Sequence, residues 1–136
     1  TTGKQQMCFL NIEDFWGNLV WFIDGFFLDA SRNMLTAFTD FNDTGSGYTN
    51  RGQGATSDIG NYMSKPQGTT ETGLIAKEVS GSSTTYFCDR VYLRASCLPV
   101  FGGAWYDGDI AGVFYLPVSH EAYFTNSLSG ARLMYL

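Results

Sequence analysis

Basic residues are scarce in this chain, which has 8 Lys and Arg against 13 Asp and Glu, and a single His. The resulting net charge of -5 excludes the basic surface with which proteins bind nucleic-acid phosphates. Long apolar runs are also missing, because Asp24 and Asp29 interrupt the most apolar stretch, residues 19–28. The sequence therefore predicts neither a nucleic-acid partner nor insertion into a membrane.

Cysteine is equally sparse, and no CxxC pair joins Cys8, Cys88 and Cys97. This number and spacing exclude a disulfide framework and a zinc cage. Cys88 and Cys97 lie in apolar segments, and we predict that they are buried free thiols. A nucleophilic cysteine needs a nearby histidine, whereas no motif links any cysteine to His120.

Apolar residues are abundant: 44% of the chain is hydrophobic and 16% is aromatic, enough for the core of one domain spanning residues 1–136. Its first residues contain neither an initiator Met nor a signal peptide, so we expect a fragment of a longer polypeptide. The expected core is aromatic, and its best candidates are Phe15, Trp16, Trp21, Phe22 and Trp105.

The helical period of apolar residues over residues 11–23 predicts one helix, although Gly17 weakens it and a strand over residues 19–23 is the alternative. The rest of the chain alternates between short strand patterns and turns rich in Gly, Ser, Thr and Asn. We therefore predict an α+β fold with much loop, including a long packed coil over residues 42–73. The predicted strands cover residues 26–29, 34–39, 84–93, 98–105, 112–116 and 131–135.

The candidate motifs for metal or phosphate binding in this sequence are incomplete. Residues 40–45 imitate the start of a calcium loop, but Arg51 stands where a bidentate carboxylate is needed, so an Asx-type turn is favoured. Asp107 and Asp109 fit a solvated turn better than a cation site. The glycine pairs at residues 45–47 and 52–54 precede no predicted helix and are therefore not phosphate loops. We predict no metal and no cofactor.

Residues 102–136 combine a regular frame with positions of mixed residue type. From Phe124 onward the alternation is strict, and in an extended segment it would place Phe124, Asn126 and Leu128 on one face. Such a mixture suits neither a core nor a solvated surface, but it suits a contact surface. The mixed positions are Tyr106, Asp107, Asp109, Ile110, Pro117, Ser119, His120, Phe124, Asn126 and Leu128.

The frame itself, "GGAW" at residues 102–105, "AGVFYL" at 111–116 and "SGARL" at 129–133, resembles the variable region of diversity-generating retroelement target proteins. The segment at residues 12–18 is similar to one shared with the formylglycine-generating-enzyme superfamily. In the retroelement family, template Asn codons are scattered to other residues, but never to Lys, Glu, Gln, Met or Trp. None of the mixed positions holds one of these five types, and Glu121, which would break the rule, is interpreted as a frame residue or an ordinary mutation.

The resemblance implies a C-type-lectin fold of short twisted antiparallel strands with one or two helices, and a variable region at about residues 102–132. The mixed positions would then be the ligand contacts, with Tyr106 and Phe124 as anchors. Gly102, Gly103 and Arg132 would belong to the frame that supports them, together with Gly112 and Gly130.

The implied function is non-enzymatic recognition of a host surface protein or glycan, for phage attachment from the virion. The alternatives are a bacterial surface-displayed lectin or adhesin, and a formylglycine-generating-enzyme-like domain that has lost catalysis. That enzyme branch carries its catalytic cysteines late in the chain, and none follows Cys97 here. Calcium-dependent lectin signatures are also missing; the nearest approach is Trp105-Tyr106-Asp107. Phage relatives imply a possible homotrimer formed through the rest of the parent chain.

Overall fold

The computed structural model describes residues 8–9, 12–13, 15–112 and 115–130. Within these residues the chain forms thirteen short strands and one 3-10 turn, Gly108–Ile110. The strands are β1 (Cys8–Phe9), β2 (Ile12–Glu13), β3 (Val20–Phe22), β4 (Phe26–Leu28), β5 (Asn33–Thr36), β6 (Thr49–Gln53), β7 (Ile59–Tyr62), β8 (Lys65–Gln67), β9 (Ile75–Glu78), β10 (Arg90–Leu93), β11 (Leu98–Phe101), β12 (Val118–His120) and β13 (Ser129–Gly130).

The predicted α+β class is wrong, because the described residues contain no α-helix and are organised in small sheets. Instead of the helix over residues 11–23, the chain forms β2, a bend and β3, which confirms the strand alternative. Gly17 adopts φ +78°, and its N–H donates to the carbonyl of Gly102 at 2.7 Å, a pairing that a helix would forbid. Accordingly, no described helix has the length and hydropathy that a membrane crossing requires.

The largest sheet has the strand order β13-β3-β11-β12-β10-β7. Its central pair, β11 and β12, is antiparallel, whereas β12 meets β10 in parallel and β13 meets β3 in parallel. A three-stranded antiparallel sheet, β4-β5-β6, packs beside it, and β8-β9 and β1-β2 form two-stranded ribbons. The chain therefore returns near its carboxyl end to the middle and the edge of the same sheet.

The buried core is mainly aliphatic, which corrects the predicted aromatic core. The most completely buried side chains include Leu28, Leu93, Val100 and Val118. The aromatic candidates Phe15, Trp16, Trp21 and Phe22 are only half-buried, and Trp105 is 68% exposed. Strands as short as these leave narrow spaces between sheets, and branched aliphatic side chains fill such spaces where a large ring is seldom fully enclosed.

The strand predictions over residues 26–29, 34–39 and 98–105 are confirmed in their first three or four residues by β4, β5 and β11, whereas 84–93 yields only β10. The coil predicted over residues 42–73 is wrong, because it contains β6, β7 and β8. These strands are largely exposed and polar, so they lack the apolar alternation from which strands are predicted. Residues 112–116 form no strand where they are described, and residues 131–135 lie outside the described part.

The two described cysteine side chains differ in environment. Cys97 is buried as predicted, and burial raises the pKa of its thiol. Cys88 is exposed, so the prediction of a buried thiol is wrong there. The Asx-type turn is confirmed, since Oδ1 of Asn42 accepts the backbone N–H groups of Thr44 at 3.2 Å and Ser46 at 3.0 Å.

Candidate binding surface

The backbone beneath the predicted variable positions is set by glycines, as the sequence predicts. Gly103 has φ +69°, and a Cβ there would collide with the side chain of Ala111. A Cβ on Gly112 would lie 2.9 Å from both carboxylate oxygens of the buried Asp89. Gly102 has φ +95°, and Gly130 lies close to Leu19 and Trp21. Only glycine permits these close approaches, so the glycines at these positions specify much of the backbone path here.

Residues 104–107 form a turn that is closed from both sides. The N–H of Ala104 donates to Oδ2 of Asp107 at 2.6 Å, and the N–H of Asp107 donates to the carbonyl of Ala104 at 3.0 Å. This turn carries Trp105 and Tyr106 outward with 68% and 59% exposure, and their rings meet edge to face with centroids 5.6 Å apart. The expectation that Trp105 packs beneath the surface is therefore wrong.

Beside this turn lies an open depression of about 480 Å³. It forms where the end of β10, the strand β12 and the following loop come together, because Leu93 of β10 pairs with Val118 of β12. Most of its lining is aromatic, with one side chain of each charge. The lining residues are Tyr92, Arg94, Tyr115, Ser119, His120, Glu121, Tyr123 and Phe124.

His120 is held in the depression by aromatic contacts. Its ring centroid lies 4.3 Å from that of Phe124 and 6.3 Å from that of Phe22, both edge to face. Its Nδ1 lies 3.2 Å from Oγ of Ser119. Burial lowers the pKa of His120 below 6.5, and the positive charge of Arg94 lowers it further. The imidazole is therefore neutral at neutral pH.

Tyr115 connects the turn to the depression. Its side chain is buried in the lining, and burial raises the pKa of its phenol above the ordinary value of 10. The negative charge of Asp107 raises this pKa further, so Tyr115 remains protonated at neutral pH. A Cβ on Gly103 would lie 3.5 Å from Cδ1 of Tyr115, so this residue borders both the loop that leads into the turn and the depression.

The structure brings part of the predicted site together. Tyr106 lies on the turn, and Ser119, His120 and Phe124 line the depression. Asp107 lies beside them, but its carboxylate closes the turn. Asp109 is exposed on the 3-10 turn, which also carries the half-buried Ile110.

Pro117 is corrected as a ligand contact, because its side chain is fully buried and its carbonyl accepts the N–H of Val100 at 2.8 Å. Its neighbours Leu116 and Val118 both line a different cleft from the depression that holds His120.

The strictly alternating segment from Phe124 to Leu128 is not a strand, so the single face predicted for it does not form. Oδ1 of Asn126 accepts the N–H of Leu128 at 3.1 Å, and the carbonyl of Leu128 accepts the N–H of Val20 at 2.9 Å. The exposed Asn126 and half-buried Leu128 therefore guide the chain into β13. Arg132 lies outside the described residues.

Sequence reasoning missed several lining residues. Tyr92 and Arg94 lie far upstream, and only the pairing of β10 with β12 brings them to the site. Tyr115 and Glu121 lie outside the mixed positions of the sequence, and so does Tyr123, which is 81% exposed. The one available signal was a tyrosine next to the proposed anchor Phe124 within a polar segment.

The surface suits binding by aromatic faces, hydroxyl groups and one charge of each sign. Within the described part of the chain, no group of three or more His, Cys, Asp or Glu could hold a metal ion. No family model matches the chain, and neither a curated protein nor a solved structure is significantly similar to it.

Proposed function

We propose that the protein is a non-enzymatic binding module, and that the turn at residues 104–107 and the adjacent depression recognise a target on a host cell. One observation carries this proposal: Trp105 and Tyr106 on the turn are 68% and 59% exposed, and Tyr123 in the lining of the adjacent depression is 81% exposed. Exposing large aromatic side chains together is unfavourable in water, and such patches mark interaction sites.

The composition of the surface supports recognition of a protein or a glycan. Tyrosine and tryptophan contribute much contact area with few rotatable bonds, so they lose little entropy when a partner immobilises them. Arg94 and Glu121 add opposite charges at the edge, where they can orient a partner.

Binding is favoured over catalysis by the orientation of His120. In a serine hydrolase the nucleophile contacts Nε2 while an acid holds Nδ1. Here the hydroxyl of Ser119 lies beside Nδ1, and the ring packs between Phe22 and Phe124. These contacts hold the imidazole in place as part of the lining of the depression.

The resemblance of residues 102–132 to retroelement target proteins supplies the setting of the proposal. The module would be displayed on a phage tail, and its target would lie on the surface of a bacterial host. Glycine-determined turns above an aliphatic core support this setting, because they let exposed side chains change without changing the backbone. A gene for a reverse transcriptase, with a repeat that differs from this gene at template adenines, is expected beside the coding sequence.

The test is binding of the fluorescently labelled protein to a panel of bacterial strains, measured by flow cytometry. We expect at least one strain to be stained, and the double variant Tyr106→Ala, Tyr123→Ala to reduce that staining by about 10-fold or more. The matched control is Leu74→Ala, Tyr86→Ala, which removes two exposed apolar side chains that line neither the depression nor the turn. Equal staining by both double variants, or no stained strain, would contradict the proposal, provided that thermal unfolding shows all variants to be folded.

A further inference from the structure

A second concavity, of about 320 Å³, lies across β12 from the depression. Tyr115 and Ser119 line the depression, whereas Leu116 and Val118 line this second cleft. Neighbouring side chains at residues 115–116 and 118–119 therefore face different concavities, one on each side of the chain. The cleft contains none of the predicted variable positions.

The cleft has a fixed apolar floor and an exposed aromatic rim. Phe26, Ile75 and Val118 form part of the floor and are 9%, 3% and 1% exposed. Phe38 and Phe41 stand at the rim with 73% and 52% exposure. At least half of the surface of each of these two side chains is therefore accessible to a ligand.

The position of the rim is set by the backbone. A Cβ on Gly25 would lie 3.1 Å from Cε1 of Phe41, so that ring rests on the turn at residues 24–25. The N–H of Ala37 donates to the carbonyl of Gly25 at 2.9 Å and ties this turn to the end of β5. The cleft is therefore formed before any ligand arrives.

The charge in the cleft is of one sign. Asp24 and Glu71 belong to its lining, and no Lys, Arg or His is among the described residues that line it. Glu71 accepts a hydrogen bond from Oγ1 of Thr69 at 2.6 Å, which lowers the pKa of its carboxyl. The nearby Arg51 is turned toward Thr36, to whose Oγ1 its Nε donates at 2.9 Å.

We propose that this cleft binds a small organic cation, an amine carried on an apolar body. The body fits the floor, and the ammonium group is stabilised by the carboxylates and by the faces of Phe38 and Phe41, as in the aromatic sites that bind ammonium ligands. A ligand that carries a carboxylate on the same apolar body is repelled by Asp24 and Glu71. This inference does not depend on the proposed target-binding function.

The probes are phenethylamine and two matched compounds, neutral 2-phenylethanol and anionic phenylacetate. They are titrated into the ¹⁵N-labelled protein and followed by amide chemical shifts. We expect phenethylamine to shift the amides of residues 24–26 and 71–75, and to bind about 5-fold or more tightly than 2-phenylethanol. Phenylacetate should bind more weakly than either.

Variants distinguish the contributions of charge and aromatic contact. Asp24→Asn should weaken the binding of phenethylamine but leave the binding of 2-phenylethanol unchanged. Phe38→Ala should weaken the binding of both compounds. Tyr86→Ala removes a fully exposed ring outside the cleft and should change neither. Equal affinity for the three probes, shifts located elsewhere, no saturable binding of phenethylamine, or insensitivity to both cleft variants would overturn the proposal.

Discussion

The interior strands and the surface near the carboxyl end use different kinds of apolar residue. Leu28, Leu93 and Val100 are completely enclosed where the sheets meet. By contrast, Trp105 and Tyr123, which follow β11 and β12 closely in sequence, are 68% and 81% exposed. The difference separates two tasks: branched aliphatic side chains hold the sheets together, and aromatic side chains are available to a partner.

This separation extends to the backbone. In the interior, strand pairing fixes the path of the chain, whereas around residues 102–112 glycines fix it by close approach to Ala111 and Asp89. Neither device depends on which side chain stands at an exposed position such as Tyr106. A surface built in this way tolerates substitution while the fold stays constant.

The largest change in stability should come from truncating a side chain of the interior. Leu93→Ala removes a fully buried side chain of β10 and should lower the free energy of unfolding by about 2–5 kcal/mol. Tyr123→Ala, its counterpart on the surface, should change it by less than about 0.5 kcal/mol. Urea denaturation measures both. Comparable losses in the two variants would break the distinction between core and contact surface.

A smaller effect should separate two neighbouring aspartates that the sequence groups together. Asp107→Ala removes the carboxylate that accepts the N–H of Ala104 and should cost about 1 kcal/mol of stability. Asp109→Ala, at an exposed position on the 3-10 turn, should be nearly neutral. If the two substitutions prove equivalent in thermal denaturation, Asp107 belongs with the freely variable positions.

The smallest effect should be a pH dependence from His120. Because burial lowers its folded pKa below 6.5, the unfolded state binds more protons between that pKa and 6.5, and stability falls as pH drops through this interval. Urea midpoints at pH 7.5 and 5.5 should therefore differ more for the native protein than for His120→Asn.

The titration of Asp58 does not contribute to this difference between pH 7.5 and 5.5. The hydrogen bond from Arg32 holds the pKa of Asp58 below 3.8, so its stabilisation is present above that pH and is lost only under more acidic conditions. An identical midpoint shift in the native protein and His120→Asn would show that His120 is not packed as described.

The sequence predicted several local features correctly. The positions of β4, β5 and β11 follow from their short apolar runs bounded by turn residues, and the glycines at 102 and 103 both adopt positive φ. Of the predicted site residues, Ser119, His120 and Phe124 line one depression and Tyr106 is exposed on the turn, but Pro117 is buried and Asn126 serves a turn. Local patterns carry these successes because they depend on neighbours in the chain.

What the sequence determined by itself is the acidic, aromatic-rich character of the chain and the positions of its tight turns. The tertiary structure alone decided that residues 20–22 form a strand, since Val100 and Phe101 pair with Phe22 and Trp21 from far along the chain. It also decided which aromatic rings remain exposed and that Tyr92 joins the surface. Burial and strand pairing are set by partners distant in sequence, and the period of a short apolar segment does not specify those partners.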